Sequence, residues 1–233
     1  TLEQRVETTK REFVANVSHE LRTPLAAVKA AVETLDQGAI NERTTASRFL
    51  AGINRDVDRM TRIVEDLLEL SRLDIGQANI HKNNFHLKMV IDETLERYQA
   101  KAKSKEISLR AEVDIDLPLA IGDELKCQQV MSNLIENAIK FTSQGGKIVV
   151  KAEADDKDVV IRVMDTGIGI PQEHLPHLFE RFYKIDRSRR EEGSGLGLAI
   201  AKHIVQALGG DMWVSSRENE GSTFTFTLPA GTD

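Results

Sequence analysis

The chain has 233 residues, 40% of them hydrophobic and 29% charged, with a formal net charge of −6 and one cysteine, Cys127. That balance is globular, its acidity without a broad basic field speaks against nucleic acid as a partner, and a single cysteine excludes an intrachain disulfide. No apolar run approaches the ~20 residues of a membrane span and no signal peptide is evident, but the chain opens on Thr1 inside a helical pattern and so reads as part of a longer protein.

In the first third, Val14, Val17, Leu21, Leu25, Val28, Val32 and Leu35 recur at spacings of three and four, which predicts a long amphipathic helix. "DQGAINERT" (36–44) breaks it, with Gly38 as a C-terminal cap. A second helix follows on Leu50, Ile53, Val57, Met60, Val64, Leu67, Leu68 and Ser71. A hairpin of this kind leaves each apolar stripe half covered. A second copy would complete a four-helix bundle, so a homodimer is expected. Packing of the hairpin on the rest of its own chain is the alternative. "FVANVSHELRTPL" (13–25) is unusual within the first helix. His19 projects away from the Val14–Leu21 seam, Glu20 lies beside it, and Thr23 shares its face at i+4. Pro24 lacks an N–H, and its ring crowds the Glu20 carbonyl, which predicts a bend.

From about residue 75 the period changes. "GQANIHKNNF" (76–85) reads as a polar linker. The pattern then predicts helix 88–103, strand 107–113, helix 123–141, and strands 147–154 and 158–165. A long Gly-, Pro- and charge-rich stretch (166–194) precedes helix 195–208, which Gly209–Gly210 ends, and strands 211–216 and 222–228. The mixed order suggests α+β architecture, with helices on one face of a mostly antiparallel sheet. The stretch 166–194 is too long for an ordinary connector and reads as a functional lid. Cys127 and Trp213 are expected in the core. His81, His86, His174, His177 and His203 are read as structural or surface residues.

Three constellations point to chemistry. In "NLIENAIKF" (133–141), Asn133, Asn137 and Lys140 fall on one helix face. Two amide oxygens and a lysine suit a hydrated Mg²⁺ carrying phosphates, although a solvated polar face would look alike. In "VVIRVMDTGIGIP" (159–171), Asp165 ends the strand face of Val159, Ile161 and Val163, where a carboxylate needs a partner such as a ligand amino group. Gly167 and Gly169 would let backbone approach a flat ring, and a turn with a capping Asp is the plain alternative. In "GSGLGLAIAKHI" (193–204), Gly193, Gly195 and Gly197 lead into a helix whose free N–H groups suit phosphate. "RSRREE" rather than a strand precedes them, so a dinucleotide-fold reading fails.

In this order the three resemble the N, G1 and G2 boxes of the GHKL ATP-binding fold of gyrase-type ATPases, Hsp90 chaperones and histidine kinases. "FERFYK" (179–184) resembles the F box found in the kinases between G1 and G2. With "SHELRTPL" (18–25), the chain resembles the cytoplasmic catalytic portion of a class I (HisKA-type) sensor histidine kinase of a bacterial two-component system, from about residue 10 to 229. The resemblance implies a dimerisation and histidine-phosphotransfer domain at 1–75, a linker at 76–84 and a GHKL α/β-sandwich ATP-binding domain at 85–230. It makes His19 the phosphoacceptor, with Glu20 accepting a hydrogen bond from its ring and Thr23 orienting a water during dephosphorylation of the partner. Asp165 would take the adenine amine, and Asn133 and Asn137 would hold Mg²⁺. Lys140 and Lys184 would contact phosphate, and the ring of Phe141, with Gly167, Gly169, Gly193, Gly195, Leu196 and Gly197, would complete the ATP site. Many relatives have arginine at Lys184, and several have tyrosine at Phe141.

The implied activity is ATP-dependent phosphorylation of His19 followed by transfer to an aspartate of a response regulator, with phosphatase activity in reverse. In gyrase-type ATPases a glutamate that activates water stands at the position of Asn133. An amide cannot act as a base, so an ATPase switch fits less well, as does a non-catalytic scaffold. Membrane attachment would come only through segments outside this chain.

Overall fold

The computed structural model describes residues 2–76, 79–185 and 193–231, with side chains from Phe13 onward. The "RSRREE" segment lies outside the described residues. Helix α1 (Leu2–Asp36) runs unbroken through Pro24, which is buried. Gly38, at φ 116°, turns the chain through a short 3₁₀ segment (Ala39–Asn41) into α2 (Arg43–Asp74). Leu35, Ala46, Ile63 and Leu70 are buried within the hairpin or beneath it. Val14, Leu25 and Val32 on α1, and Leu50, Val57, Val64 and Leu68 on α2, are exposed. The apolar stripes are therefore half covered, as their length and spacing predict.

The second part begins with a feature the sequence pattern does not announce. Strand β1 (Asn83–Phe85) pairs antiparallel with β3 (Ala120–Gly122). Three residues are too few for alternation to be read. Between them lie α3 (Leu87–Ser104) and β2 (Ser108–Val113). Asp123 then caps α4 (Glu124–Phe141), accepting from the N–H of Lys126 at 3.1 Å and from that of His81 at 3.0 Å. Strands β4 (Lys147–Asp155) and β5 (Asp158–Asp165), helix α5 (Gly197–Leu208), and strands β6 (Met212–Arg217) and β7 (Gly221–Pro229) complete the fold.

The main sheet has strand order β2-β4-β5-β7-β6, with only β2–β4 parallel. Its register aligns buried side chains in rows: Val150, Val163 and Phe224, then Ala152, Ile161 and Phe226. These rows share one core with Val130, Leu134 and Ile135 of α4 and Ile200 and Ile204 of α5. The period-2 face therefore ends where it must, at Asp165, between Ile148 and Ser222. Cys127 is buried as expected, and burial pushes its thiol up to about 12. Trp213 is not in the core. It lies on the edge strand β6, 45% exposed, because its neighbours Met212 and Val214 take the inward positions of the pleat.

Candidate functional site

His19 is exposed on α1, and among the described residues its ring has no hydrogen-bond partner. Thr23 shares its face and donates from Oγ1 back to the His19 carbonyl at 3.3 Å. Glu20 does not accept from the imidazole in this conformation. Its Oε1 accepts from Lys184 Nζ at 2.6 Å and its Oε2 from Arg59 Nη2 at 3.3 Å. Bonds from cations are about twice as strong as neutral ones, so two cations outcompete a neutral ring N–H. Lys184, read from the sequence as a phosphate ligand, is thus held on the residue next to the histidine.

The three constellations of the second part converge. The Asn133 amide nitrogen donates to the Gly197 carbonyl at 3.1 Å, which ties α4 to the start of α5. Lys140 Nζ stands 4.8 Å from the centroid of the Phe141 ring, and that ring is 38% exposed. A Cβ on Gly193 would lie 3.8 Å from Lys140 Nζ, so the glycine loop before α5 passes beside the end of α4. Asn137, on the same helix face, is partly exposed. The G1 turn closes on the same place, with the Ile168 N–H donating to the Phe141 carbonyl at 3.2 Å.

Asp165 Oδ1 accepts from the Gly167 N–H at 2.8 Å. Burial raises the Asp165 carboxyl above its ordinary value, against the lowering effect of backbone hydrogen bonds from Gly167 and Ser222. The glycines also serve the protein itself. A Cβ on Gly167 would come within 2.6 Å of the Phe141 carbonyl, and one on Gly169 (φ 66°) within 1.9 Å of that of Arg217. Gly195 (φ 74°) accepts from the Phe182 N–H at 3.0 Å, which joins the F box to the glycine loop, and Leu196 is fully buried behind it. Of the other histidines, His174 Nδ1 lies 2.7 Å from the Tyr183 hydroxyl, and the ring N–H of His203 donates to the Ala199 carbonyl.

Sequence reasoning missed the residues that join the two parts. Asp66 accepts from Ser194 Oγ at 3.2 Å, Glu69 pairs with Lys126 and Gln129, and Asp74 accepts twice from Arg181 Nη2 at 2.6 Å. Phe13 packs on Phe182 with ring centroids 5.8 Å apart. All three acids sit on α2, where a run of charges reads as a solvated face, and nothing in the sequence pairs them with the glycine loop, the first turns of α4 or the F box.

Burial pushes the Asp66 carboxyl from 3.8 up to about 6, with Glu69 and Glu65 adding to the rise and Ser194 and Arg62 opposing it. The packed state therefore favours the protonated acid. Its contribution is full below about pH 4 and is lost as pH rises through about 6. An Asp66→Asn variant will lose less thermal stability than wild type between about pH 5 and 7.5. Parallel melting curves for the two proteins would refute this.

Comparison with known proteins agrees with this geometry. Residues 9–76 match the His Kinase A (phospho-acceptor) domain, and 122–232 match the histidine kinase-, DNA gyrase B- and HSP90-like ATPase family. The chain is 39% identical over 233 residues to the sensor histidine kinase WalK of Bacillus subtilis, covering 98% of this chain and 38% of that protein. It spans well under half the length of that relative. The catalytic domain of histidine kinase ThkA is 30% identical, with a TM-score of 0.58 over 64% of this chain and 96% of that one. ThkA in complex with the response regulator TrrA aligns at TM-score 0.77 and 24% identity over 98% of this chain and 64% of that one, a likeness of fold. Full-length ShkA in complex with AMPPNP aligns at TM-score 0.70 and 29% identity, over 95% of this chain and 47% of that one. Among the described residues no helix is long and apolar enough to cross a membrane. A helical hairpin that matches the phospho-acceptor domain, with His19 exposed on it, followed by a GHKL-type sandwich, places the chain in the HisKA-type sensor histidine kinase family.

Proposed function

We propose that the chain is the catalytic portion of a protein-histidine kinase, which binds ATP between α4 and the G1 and G2 loops and transfers its γ-phosphoryl group to His19. The observation that carries this reading is the ion pair between Lys184 and Glu20, which brings a residue of the ATP-binding part beside the histidine. The lone pair of the basic ring nitrogen forms the N–P bond. The bond from phosphorus to the bridging oxygen breaks, and ADP leaves with that electron pair. Glu20, once Lys184 turns to phosphate, accepts the proton of the other ring N–H in a hydrogen bond and balances the charge growing on the ring. Asp165 takes the adenine amine, Phe141 offers its exposed ring, and Lys140 and the N–H groups at the start of α5 hold phosphates.

Mg²⁺ fits this donor set only together with the nucleotide. Among the described residues no three His, Cys, Asp or Glu converge on a metal site, so the Asn133 and Asn137 amide oxygens would share the ion with phosphate oxygens. When bound, it neutralises phosphate charge. The amide at Asn133 cannot activate water, which favours transfer to the protein over hydrolysis. ATP labelled on its γ-phosphate tests this choice. Stoichiometric labelling of the protein with little phosphate release supports the kinase, and steady release without labelling supports an ATPase switch.

The phosphoryl group then passes to an aspartate of a response regulator, as the ThkA–TrrA complex suggests by analogy of fold. Thr23, beside His19, positions water for the reverse phosphatase reaction. The exposed stripe of Val57, Val64 and Leu68 is the face for a second copy, and membrane attachment comes through segments outside this chain. A Val57→Asp/Leu68→Asp variant will sediment as a monomer with its ATP-binding part folded, because charges cannot be buried unpaired in a bundle. A dimer of unchanged mass would show that another face makes the contact.

A further inference from the structure

Arg59 is a residue that neither the sequence motifs nor the expected roles account for. It lies on α2 opposite Glu20, 39 positions away in sequence, and reaches one carboxylate oxygen with Nη2 at 3.3 Å. Its side chain is 31% exposed and that of Glu20 is 17% exposed, so the pair is sheltered from solvent. The Arg59 Nε is enclosed, with no hydrogen-bond partner among the described residues. A sheltered donor left without a partner calls for an explanation, and arginine–carboxylate pairs are frequently bidentate. Here the second oxygen belongs to Lys184 at 2.6 Å. The two cations differ in one respect: Arg59 belongs to the same hairpin as Glu20, whereas Lys184 arrives with the ATP-binding part.

We propose that Arg59 is a positioning residue for phosphoryl transfer to His19, seating Glu20 by Oε2 so that Oε1 is exchanged between Lys184 and the His19 ring. The inference rests on the reading of Glu20 given above. When Lys184 leaves for phosphate, Arg59 keeps the carboxylate from following it or turning to solvent. The idle Nε provides a further donor as Glu20 shifts. Arg59 reaches Glu20 and has no hydrogen bond to the His19 ring, so its effect runs through Glu20.

Initial rates of self-labelling at varied ATP, for wild type, Arg59→Gln, Arg59→Lys, Glu20→Gln and the Arg59→Gln/Glu20→Gln double variant, test this. The expected result for Arg59→Gln is a fall in kcat of about ten- to a hundredfold, with KM for ATP unchanged. Arg59→Lys will recover part of the rate. In the Glu20→Gln background the Arg59 substitution will add nothing, because residues acting through one another are not additive. If Arg59→Gln does not fold, Arg59→Met keeps the stem and takes its place in the same comparison. An unchanged kcat, a rise in KM that accounts for the loss, or the same fold-loss in both backgrounds would overturn the proposal. A Glu20→Gln protein with full activity would instead overturn the role of Glu20, and the inference with it. Loss in Glu20→Gln beside full activity in Arg59→Gln would overturn the inference alone.

Discussion

An Asp165→Asn variant will bind ATP about a hundredfold more weakly than wild type, with its fold intact. A hydrogen bond to a charged group contributes about 1.5–3 kcal/mol, and the larger figure corresponds to somewhat more than two decades in Kd. Asparagine keeps the shape, and its amide oxygen can still accept from Gly167, so the G1 turn survives. The substitution removes the negative charge, and an amide NH₂ turned toward an adenine amine would meet donor with donor. Asp165 sits at the end of a buried strand face where burial already raises its carboxyl, so a ligand donor there replaces hydration that has been lost. Calorimetric titration with ATP in the presence of Mg²⁺ measures the effect. An unchanged Kd would remove Asp165 from the nucleotide site.

Gly169→Ala will destabilise the ATP-binding part by about 2–4 kcal/mol, a large loss for one substitution, because it adds backbone strain and a clash that only backbone movement can relieve. The new Cβ would lie 1.9 Å from the Arg217 carbonyl oxygen, with φ at 66° adding strain. The neighbouring Ile168 carbonyl accepts from the Asn219 N–H at 2.6 Å, so the G1 turn cannot retreat without breaking its hold on the β6–β7 turn. In a chain of this size such a loss lowers Tm by roughly 5–15 °C. Gly145→Ala is the control: φ is 81°, but nothing lies within 4 Å of its Cβ, so only backbone strain is added. Equal melting shifts in the two variants would contradict the argument from close approach.

The elements were legible where their periods were long. The hairpin, α3 to α5 and the five strands of the main sheet lie within a residue or two of the pattern, because each buries one face against a shared core. The little β1–β3 sheet was not legible, since three residues carry no period. Trp213 departs from the core position its residue type suggests, because it faces outward on an edge strand. In the candidate site, the glycine loops and Asp165 could be read from spacing, and the structure brings them to the end of α4. The purpose of the glycines was only half legible: Gly167 and Gly169 are needed for contacts within the protein as well as for any ring beside them. The partners of Glu20 could not be read at all. An acid beside a histidine suggests a pair within the helix, whereas Arg59 and Lys184 are 39 and 164 residues distant and meet it only through the packing of the two parts. The same holds for Asp66, Glu69 and Asp74. Their charges look solvated until the ATP-binding part lies on α2.

The proposed function depends on transfer of the γ-phosphoryl group of ATP to His19. The measurement that tests it most directly is self-labelling with ATP carrying radioactive γ-phosphate, on wild type and His19→Gln, followed by acid and alkali treatment of the labelled protein. With His19 as the acceptor, the label is lost in acid, kept in alkali and absent from His19→Gln, with ATP binding equal in the two proteins. Label persisting in His19→Gln at the wild-type level would contradict it.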